Sequence, residues 1–129
     1  VLSCRVLEAQ GLRPDVVSCH SYGEFSALVA IGVLSLRDAI LATRERTRSV
    51  ETRESTKGVL LSTTAPLELV EQVLGSSPSG AYLASHNAPD QCVIGGTADA
   101  VQGVKRRLET EGFATRTLAV PRPYHTPLL

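Results

Sequence analysis

Apolar residues recur at helical spacing in some stretches of this chain and form short strand-like runs in others. Glycine, proline or serine separates most of these stretches, as expected for turns. The helical pattern covers residues 1–10, 24–31, 35–51, 66–74 and 97–111. The strand-like runs lie at residues 16–17, 58–64, 81–85, 91–94 and 113–120. The chain is therefore predicted to mix helices and strands.

The second half of the chain has the more regular order. From Gly58 onward the predicted elements follow one another as β-α-β-β-α-β, with a turn at residues 86–90. This order is typical of the ferredoxin-like split unit. The unit is predicted to be inserted between the first half of the chain and the last ten residues.

A candidate nucleophile lies at the junction of the Val16-Val17 run and the next helix. Ser21 is predicted to occupy a tight turn between a strand and a helix, which exposes a hydroxyl and points the following amide N–H groups towards it. The helix N-terminus adds partial positive charge where an oxyanion would form. The sequence Cys19-His20-Ser21-Tyr22-Gly23 matches the G-x-S-x-G elbow except at Cys19. Since strands often end in a serine, the turn alone leaves a structural role open.

The helix that follows carries the candidate for anion binding. It begins with a capping pattern at residues 35–38, and its apolar stripe runs from Leu36 to Val50. Most of its charged residues are typical of a solvated face, which fits Arg44 and Arg48. Arg46 lies at the border of the stripe and is predicted to face inward.

The end of the chain carries the candidate base. His125 lies in a loop held by prolines, directly after the last predicted strand. Loops that follow strands often carry catalytic groups. A single histidine is nevertheless more often structural than catalytic.

Bulk properties exclude several classes of function. The formal net charge of the 129 residues is zero, which gives no reason to expect nucleic acid or an anionic membrane as a partner. No apolar run has the length of a membrane span, and the N-terminus lacks a signal-peptide layout. The three cysteines form neither a disulfide framework nor a zinc pattern, so we expect a reducing cytoplasm and no metal. Because the chain starts inside an apparent helix, we expect a piece of a longer protein.

Several of these segments together carry a family resemblance. Residues 20–24 read H-S-Y-G-E, residues 87–89 read N-A-P, and residues 123–125 read P-Y-H. In this order they resemble the G-H-S-x-G-E, Asn-x-Pro and histidine signatures of the malonyl-CoA:acyl-carrier-protein transacylase family, which includes the acyltransferase domains of polyketide and fatty acid synthases. Arg46 stands where the carboxylate-binding arginine of the family stands. The resemblance covers nearly the whole chain.

The resemblance implies an α/β architecture with an α/β-hydrolase-like core and an inserted ferredoxin-like subdomain. Residues 1–57 are then part of the core with the nucleophile elbow, and residues 58–119 are the subdomain. Residues 120–129 return to the core with the catalytic histidine. The active site is expected between the two parts.

The implied reaction is ping-pong acyl transfer without a permanently bound cofactor. Ser21, activated by His125, takes malonyl from coenzyme A, and the phosphopantetheine of an acyl carrier protein then removes it. The amide of Tyr22 is expected to donate to the oxyanion, and Arg46 to bind the free carboxylate. The resemblance also places His20 and Asn87 among the substrate-binding positions. Neighbouring synthase domains, such as a ketosynthase, are expected as further partners.

Tyr124 bears on the choice of substrate. In the family, an aromatic residue before the histidine accompanies malonyl and a serine accompanies methylmalonyl. A large ring fills the space of the additional methyl group, so Tyr124 favours malonyl.

The sequence departs from the family at several points. Cys19 and Thr47 stand where glycine is usual, and the family segments that supply an oxyanion-hole glutamine and contacts orienting the histidine have no counterpart here. We therefore expect the chain alone to be inactive. Two other readings stay open: an esterase or thioesterase that uses Ser21 and His125, and a non-catalytic module that docks a carrier protein.

Overall fold

A computed structural model describes residues 1–52, 57–77, 79–120 and 122–129. The chain divides into two compact units, residues 1–52 and 53–129. The first unit contains three helices: α1 (Leu2–Ala9), α2 (Gly23–Ala30) and α3 (Leu36–Glu51). The described residues of the second unit form four strands and two helices: β1 (Val59–Thr63), α4 (Leu67–Gly75), β2 (Ala81–Ala88), β3 (Gln91–Gly96), α5 (Ala98–Thr110) and β4 (Thr115–Leu118).

Local sequence signals set the helix ends of the first unit. The Ser35 hydroxyl oxygen accepts a hydrogen bond from the backbone N–H of Asp38 at 3.0 Å, which confirms the predicted cap of α3. Helix α2 ends before Gly32, whose φ of 77° is the left-handed conformation that glycine adopts without strain. α2 and α3 pack against each other.

Two predictions for the first unit are wrong. Residues 16–17 do not form a strand, and Val16 is 84% exposed. A strand needs hydrogen bonds to a neighbouring strand, and the described part of this unit contains no strand to pair with it. The apolar stripe of α3 is buried only at Ala39 and Val50, while Leu36 and Ile40 stay exposed because no described segment of this unit covers them.

The second unit is one antiparallel sheet with the predicted β-α-β-β-α-β order of elements. The strand order across the sheet is β2-β3-β1-β4, so β1 pairs with β3 and β4, and β2 pairs with β3. One face of the sheet packs against α4 and α5 and forms the hydrophobic core. The core consists of small and medium apolar side chains: Leu61, Ala65, Val70, Val73, Cys92, Ile94, Val101, Val104 and Leu108.

One boundary within this unit corrects the sequence prediction. Strand β2 continues to Ala88, so Asn87 lies on a strand and not in the predicted turn at 86–90. Pairing of His86 with Cys92 and of Ala88 with Gln91 extends the strand against the local turn signals. Residues 122–129 belong to the second unit. None of the described helices is long and apolar enough to span a membrane.

Candidate active site

Ser21 occupies a sharp turn at the start of α2. Its φ is 53°, a left-handed conformation that costs a non-glycine residue of order 1–3 kcal/mol. The N–H of Gly23 donates to the carbonyl of His20 at 2.9 Å, and the N–H of Glu24 donates to the carbonyl of Ser21 at 3.1 Å. These bonds close the turn directly before the first helical residues. Ser21 therefore stands at the positive end of the α2 dipole.

The cysteine that replaces the first glycine of the elbow fits this turn. Cys19 is exposed, and a Cβ built on Gly23 would lie 3.8 Å from the Cys19 Cβ, an ordinary van der Waals distance. The turn at Ser21 thus forms with cysteine at this position.

Arg46 packs against the residue that follows Ser21. The guanidinium carbon of Arg46 lies over the Tyr22 ring, 4.3 Å from its centroid. The Tyr22 hydroxyl lies 3.4 Å from the Thr47 hydroxyl, which in turn donates to the carbonyl of Thr43 at 3.0 Å. Since the single Thr47 proton is engaged there, the Tyr22 hydroxyl donates to Thr47. Tyr22 therefore links the Ser21 turn to the side of α3 that carries Arg46.

The neighbouring arginines of α3 are placed differently. Arg44 and Arg48 are exposed and share the carboxylate of Glu45, at 3.0 Å and 3.6 Å. Arg46 is half-buried, and none of the described carboxylates pairs with it. A guanidinium stacked on one face keeps its in-plane N–H groups available, which suits an external carboxylate.

His125 lies in a short turn at the end of the second unit. It is exposed, and its φ is 62°. Burial and hydrogen bonds fix Pro123 and Thr126, the residues on either side of the turn. Pro123 is fully buried, and the Thr126 hydroxyl donates to the Pro123 carbonyl at 2.7 Å while it accepts from the N–H of Leu128 at 3.3 Å.

Ser21 and His125 share one property that no other described residue has. They are the two non-glycine residues with positive φ in the part of the chain that the structure describes. Strained backbone of this kind concentrates at functional sites. The two residues predicted from sequence as nucleophile and base are thus the two described non-glycine residues with left-handed backbone.

The remaining candidate residues are distributed over both units. His20 is exposed at the Ser21 turn, where its carbonyl closes the turn. Tyr124 is half-buried beside His125, and its N–H donates to the Arg122 carbonyl at 3.0 Å. Asn87 is exposed on β2 and accepts a hydrogen bond from the Ser85 hydroxyl. Within single units, the structure brings Tyr22 to Arg46 and Tyr124 to His125.

Sequence reasoning missed the residues that support the His125 turn. A Cβ on Gly58 would lie 2.7 Å from the Pro123 side chain, and a Cβ on Gly95 would lie 2.7 Å from the Thr126 methyl group. The available signal was a glycine at the start of the predicted strand 58–64 and a glycine directly after the predicted strand 91–94, since glycines in strands often mark a close approach of other chain segments. Thr47, noted only as a departure from the family, proves to be the partner of Tyr22.

Comparison with known proteins shows which family the chain belongs to. The family model described as "Acyl transferase domain" matches residues 3–128. The chain belongs to this family. The chain is 34% identical over 124 residues to the polyketide synthase GfsA of Streptomyces halstedii, and the match covers 95% of the chain and 2% of the synthase.

Solved structures show the same likeness. The acyltransferase domain of an iterative polyketide synthase in enediyne biosynthesis superposes with a TM-score of 0.89 at 28% identity, covering 98% of this chain and 34% of that one. The malonyl CoA-acyl carrier protein transacylase of Coxiella burnetii superposes with a TM-score of 0.88 at 28% identity, covering 97% and 42%. The chain thus spans less than half the length of these relatives.

Proposed function

We propose that this acyltransferase domain moves a malonyl-type acyl group from coenzyme A to the phosphopantetheine thiol of an acyl carrier protein, through an ester on Ser21. The observation that carries the proposal is the left-handed backbone at Ser21 and His125, within a chain that belongs to the acyltransferase family. The comparison with a malonyl CoA-acyl carrier protein transacylase supports the donor and the acceptor.

In the first half-reaction, the Ser21 hydroxyl attacks the thioester carbonyl of malonyl-CoA. His125 accepts the hydroxyl proton as the new C–O bond forms, and returns it to the coenzyme A sulfur as the C–S bond breaks. The products are the seryl ester and free coenzyme A. The proposal requires the His125 imidazole to come within hydrogen-bond reach of the Ser21 oxygen.

The turn at Ser21 supports the stabilisation of the intermediate. The tetrahedral intermediate carries negative charge on the former carbonyl oxygen. The N–H of Tyr22 follows Ser21 at the N-terminus of α2, where backbone N–H groups and the helix dipole favour negative charge. We assign the Tyr22 amide as one oxyanion donor.

In the second half-reaction, the carrier-protein thiol attacks the seryl ester. His125 takes the thiol proton and gives it to the Ser21 oxygen as the ester C–O bond breaks, so the serine is regenerated. The acyl group leaves as a thioester of the carrier protein.

Arg46 and Tyr124 account for the choice of acyl group. A free carboxylate that enters the site unpaired would lose its hydration without compensation. The guanidinium of Arg46, stacked on Tyr22 and unpaired with any described carboxylate, supplies two parallel hydrogen bonds to it. This role favours a transferase, because the reaction of an esterase or thioesterase gives Arg46 no function. The Tyr124 ring limits substituents at the acyl carbon and so favours malonyl.

The proposed architecture is an α/β-hydrolase-like core with an inserted ferredoxin-like subdomain. The β-α-β-β-α-β order and the strand order β2-β3-β1-β4 of the second unit support the subdomain. The likeness to polyketide synthases supports a place next to other synthase domains, such as a ketosynthase. The boundaries at 57/58 and 119/120, and the cytoplasmic location, stay predictions.

The decisive experiment is mass spectrometry of the full-length protein after a brief incubation with malonyl-CoA and an acid quench. We expect a malonyl ester on the peptide that contains Ser21, and no ester in the Ser21→Ala variant. Ser18→Ala, an exposed serine three residues earlier, is the matched control and should label normally. Addition of a carrier protein should discharge the ester only when the carrier bears phosphopantetheine.

Two outcomes would contradict the proposal. Release of free malonate without an accumulated ester or transfer to the carrier would indicate a hydrolase. Complete absence of reaction in the full-length protein would indicate a binding module.

A further inference from the structure

The turn with His125 rests on the face of the sheet that α4 and α5 do not cover. Successive residues of a strand point to opposite faces. Leu61 and Ile94 belong to the helix-covered core, so their neighbours Leu60 and Gly95, which pair across β1 and β3, point to the other face. The Thr126 methyl group lies on this second face, directly over Gly95.

The side chains of Thr126 and Leu60 approach Gly95 too closely for any side chain at this position. A Cβ on Gly95 would lie 2.7 Å from the Thr126 methyl carbon and 2.8 Å from a terminal methyl carbon of Leu60. Both distances are below 3.0 Å, so each of the two neighbours would have to move. The Leu60 methyl is the far end of a flexible side chain and can rotate. The Thr126 methyl cannot rotate away without breaking the hydrogen bonds of its hydroxyl.

Thr126 therefore has two distinct attachments. Its hydroxyl closes the turn through Pro123 and Leu128, at 2.7 Å and 3.3 Å. Its methyl group docks that turn on the sheet at Gly95. Between these fixed points lies His125, whose left-handed backbone persists only where its surroundings hold it.

We propose that Gly95 is a positioning residue for His125. Because Gly95 has no side chain, the Thr126 methyl group can pack directly on the sheet, and this contact fixes the position of the His125 imidazole. The inference rests on the proposed role of His125 as the base. Displacement of a catalytic group by about 1 Å can cost roughly 100-fold in rate. The second unit then contributes to catalysis by anchoring the histidine.

The test is Gly95→Ala in the full-length protein, with the rate of ester formation from malonyl-CoA as readout. We expect kcat to fall by at least about tenfold with a much smaller change in KM, because the base is displaced and Arg46 on α3, which binds the carboxylate, is not. Gly103→Ala is the matched control, since a Cβ there meets nothing within 4 Å; it should load at the wild-type rate.

Rescue distinguishes positioning from general damage. Thr126→Ser removes the clashing methyl group and keeps the hydroxyl, so Gly95→Ala/Thr126→Ser should recover most of the lost kcat. A double variant that melts like the wild type but loads as slowly as Gly95→Ala would overturn the proposal, as would a wild-type rate in Gly95→Ala itself.

A second variant decides the matter if Gly95→Ala does not fold. Thr126→Ser alone removes the methyl contact with Gly95 and should lower kcat a few-fold without a change in KM. An unchanged kcat would overturn the inference. His125→Ala separates this inference from the proposed function. If His125→Ala forms the ester at the wild-type rate, the catalytic role of His125 is wrong. If His125→Ala forms the ester slowly and Gly95→Ala forms it at the wild-type rate, only the positioning role of Gly95 is rejected.

Discussion

Replacing Arg46 by alanine should slow ester formation from malonyl-CoA far more than from acetyl-CoA. Malonyl carries a free carboxylate, and the half-buried guanidinium of Arg46 lies 4.3 Å above the Tyr22 ring. The ring covers one face of the guanidinium and leaves its in-plane N–H groups free for two parallel hydrogen bonds. Acetyl has no carboxylate to receive them.

The size of the effect follows from these bonds. A hydrogen bond to a charged group contributes roughly 1.5–3 kcal/mol. Water that enters the vacated space solvates the carboxylate, so the net loss is close to one bond and not two. Since about 1.4 kcal/mol corresponds to a factor of ten, malonyl loading should slow by about 10- to 150-fold. Acetyl loading should stay the same or rise, because the variant removes a cation that pairs with no described carboxylate.

The assay is rapid-quench measurement of Ser21 acylation in the full-length protein, with each thioester in turn. Arg44→Ala and Arg48→Ala are matched controls on the same helix. Both arginines are exposed and share Glu45, so neither is available to the acyl carboxylate and neither variant should change either rate appreciably. Equal losses of malonyl and acetyl loading in Arg46→Ala would refute the reasoning and make Arg46 a structural residue.

Three further predictions concern the acyl site and the core. Tyr22→Phe keeps the ring under Arg46 and should leave the ratio of malonyl to acetyl loading unchanged, whereas Tyr22→Leu should lower it several-fold; equal ratios in the two variants would show that the ring does not hold Arg46. Tyr124→Ser should raise the specificity constant for methylmalonyl-CoA relative to malonyl-CoA by about tenfold, within the roughly 1–3 kcal/mol that exclusion of one methyl group provides. Burial, with smaller contributions from Glu68 and Glu71, raises the pKa of the Cys92 thiol. Its contribution to stability is complete below the unfolded pKa of about 8.5 and is lost as the pH rises towards the higher folded pKa. Urea unfolding from neutral to about pH 10 should therefore show a steeper alkaline decline for the native protein than for Cys92→Ala, and parallel declines would contradict this.

The features that the sequence predicted correctly depend on residues close together in the chain. The cap at Ser35 and the turn at Ser21 depend on a few consecutive residues, so their sequence is enough to indicate them. The order of elements after Gly58 follows from the period of apolar residues, which strand and helix geometry impose directly. The two candidate catalytic residues came from motif positions, and the backbone at both is strained as such positions often are.

Contacts between distant segments decided the rest. Val16 and Val17 have strand composition but no described partner, and Asn87 has turn composition but lies in a strand because β3 pairs beyond it. The stacking of Arg46 on Tyr22 depends on how α3 packs against α2, which no local pattern encodes. The contact of Thr126 with Gly95 joins residues 31 positions apart on one face of the sheet. Only the folded structure therefore explains why a glycine is needed at position 95.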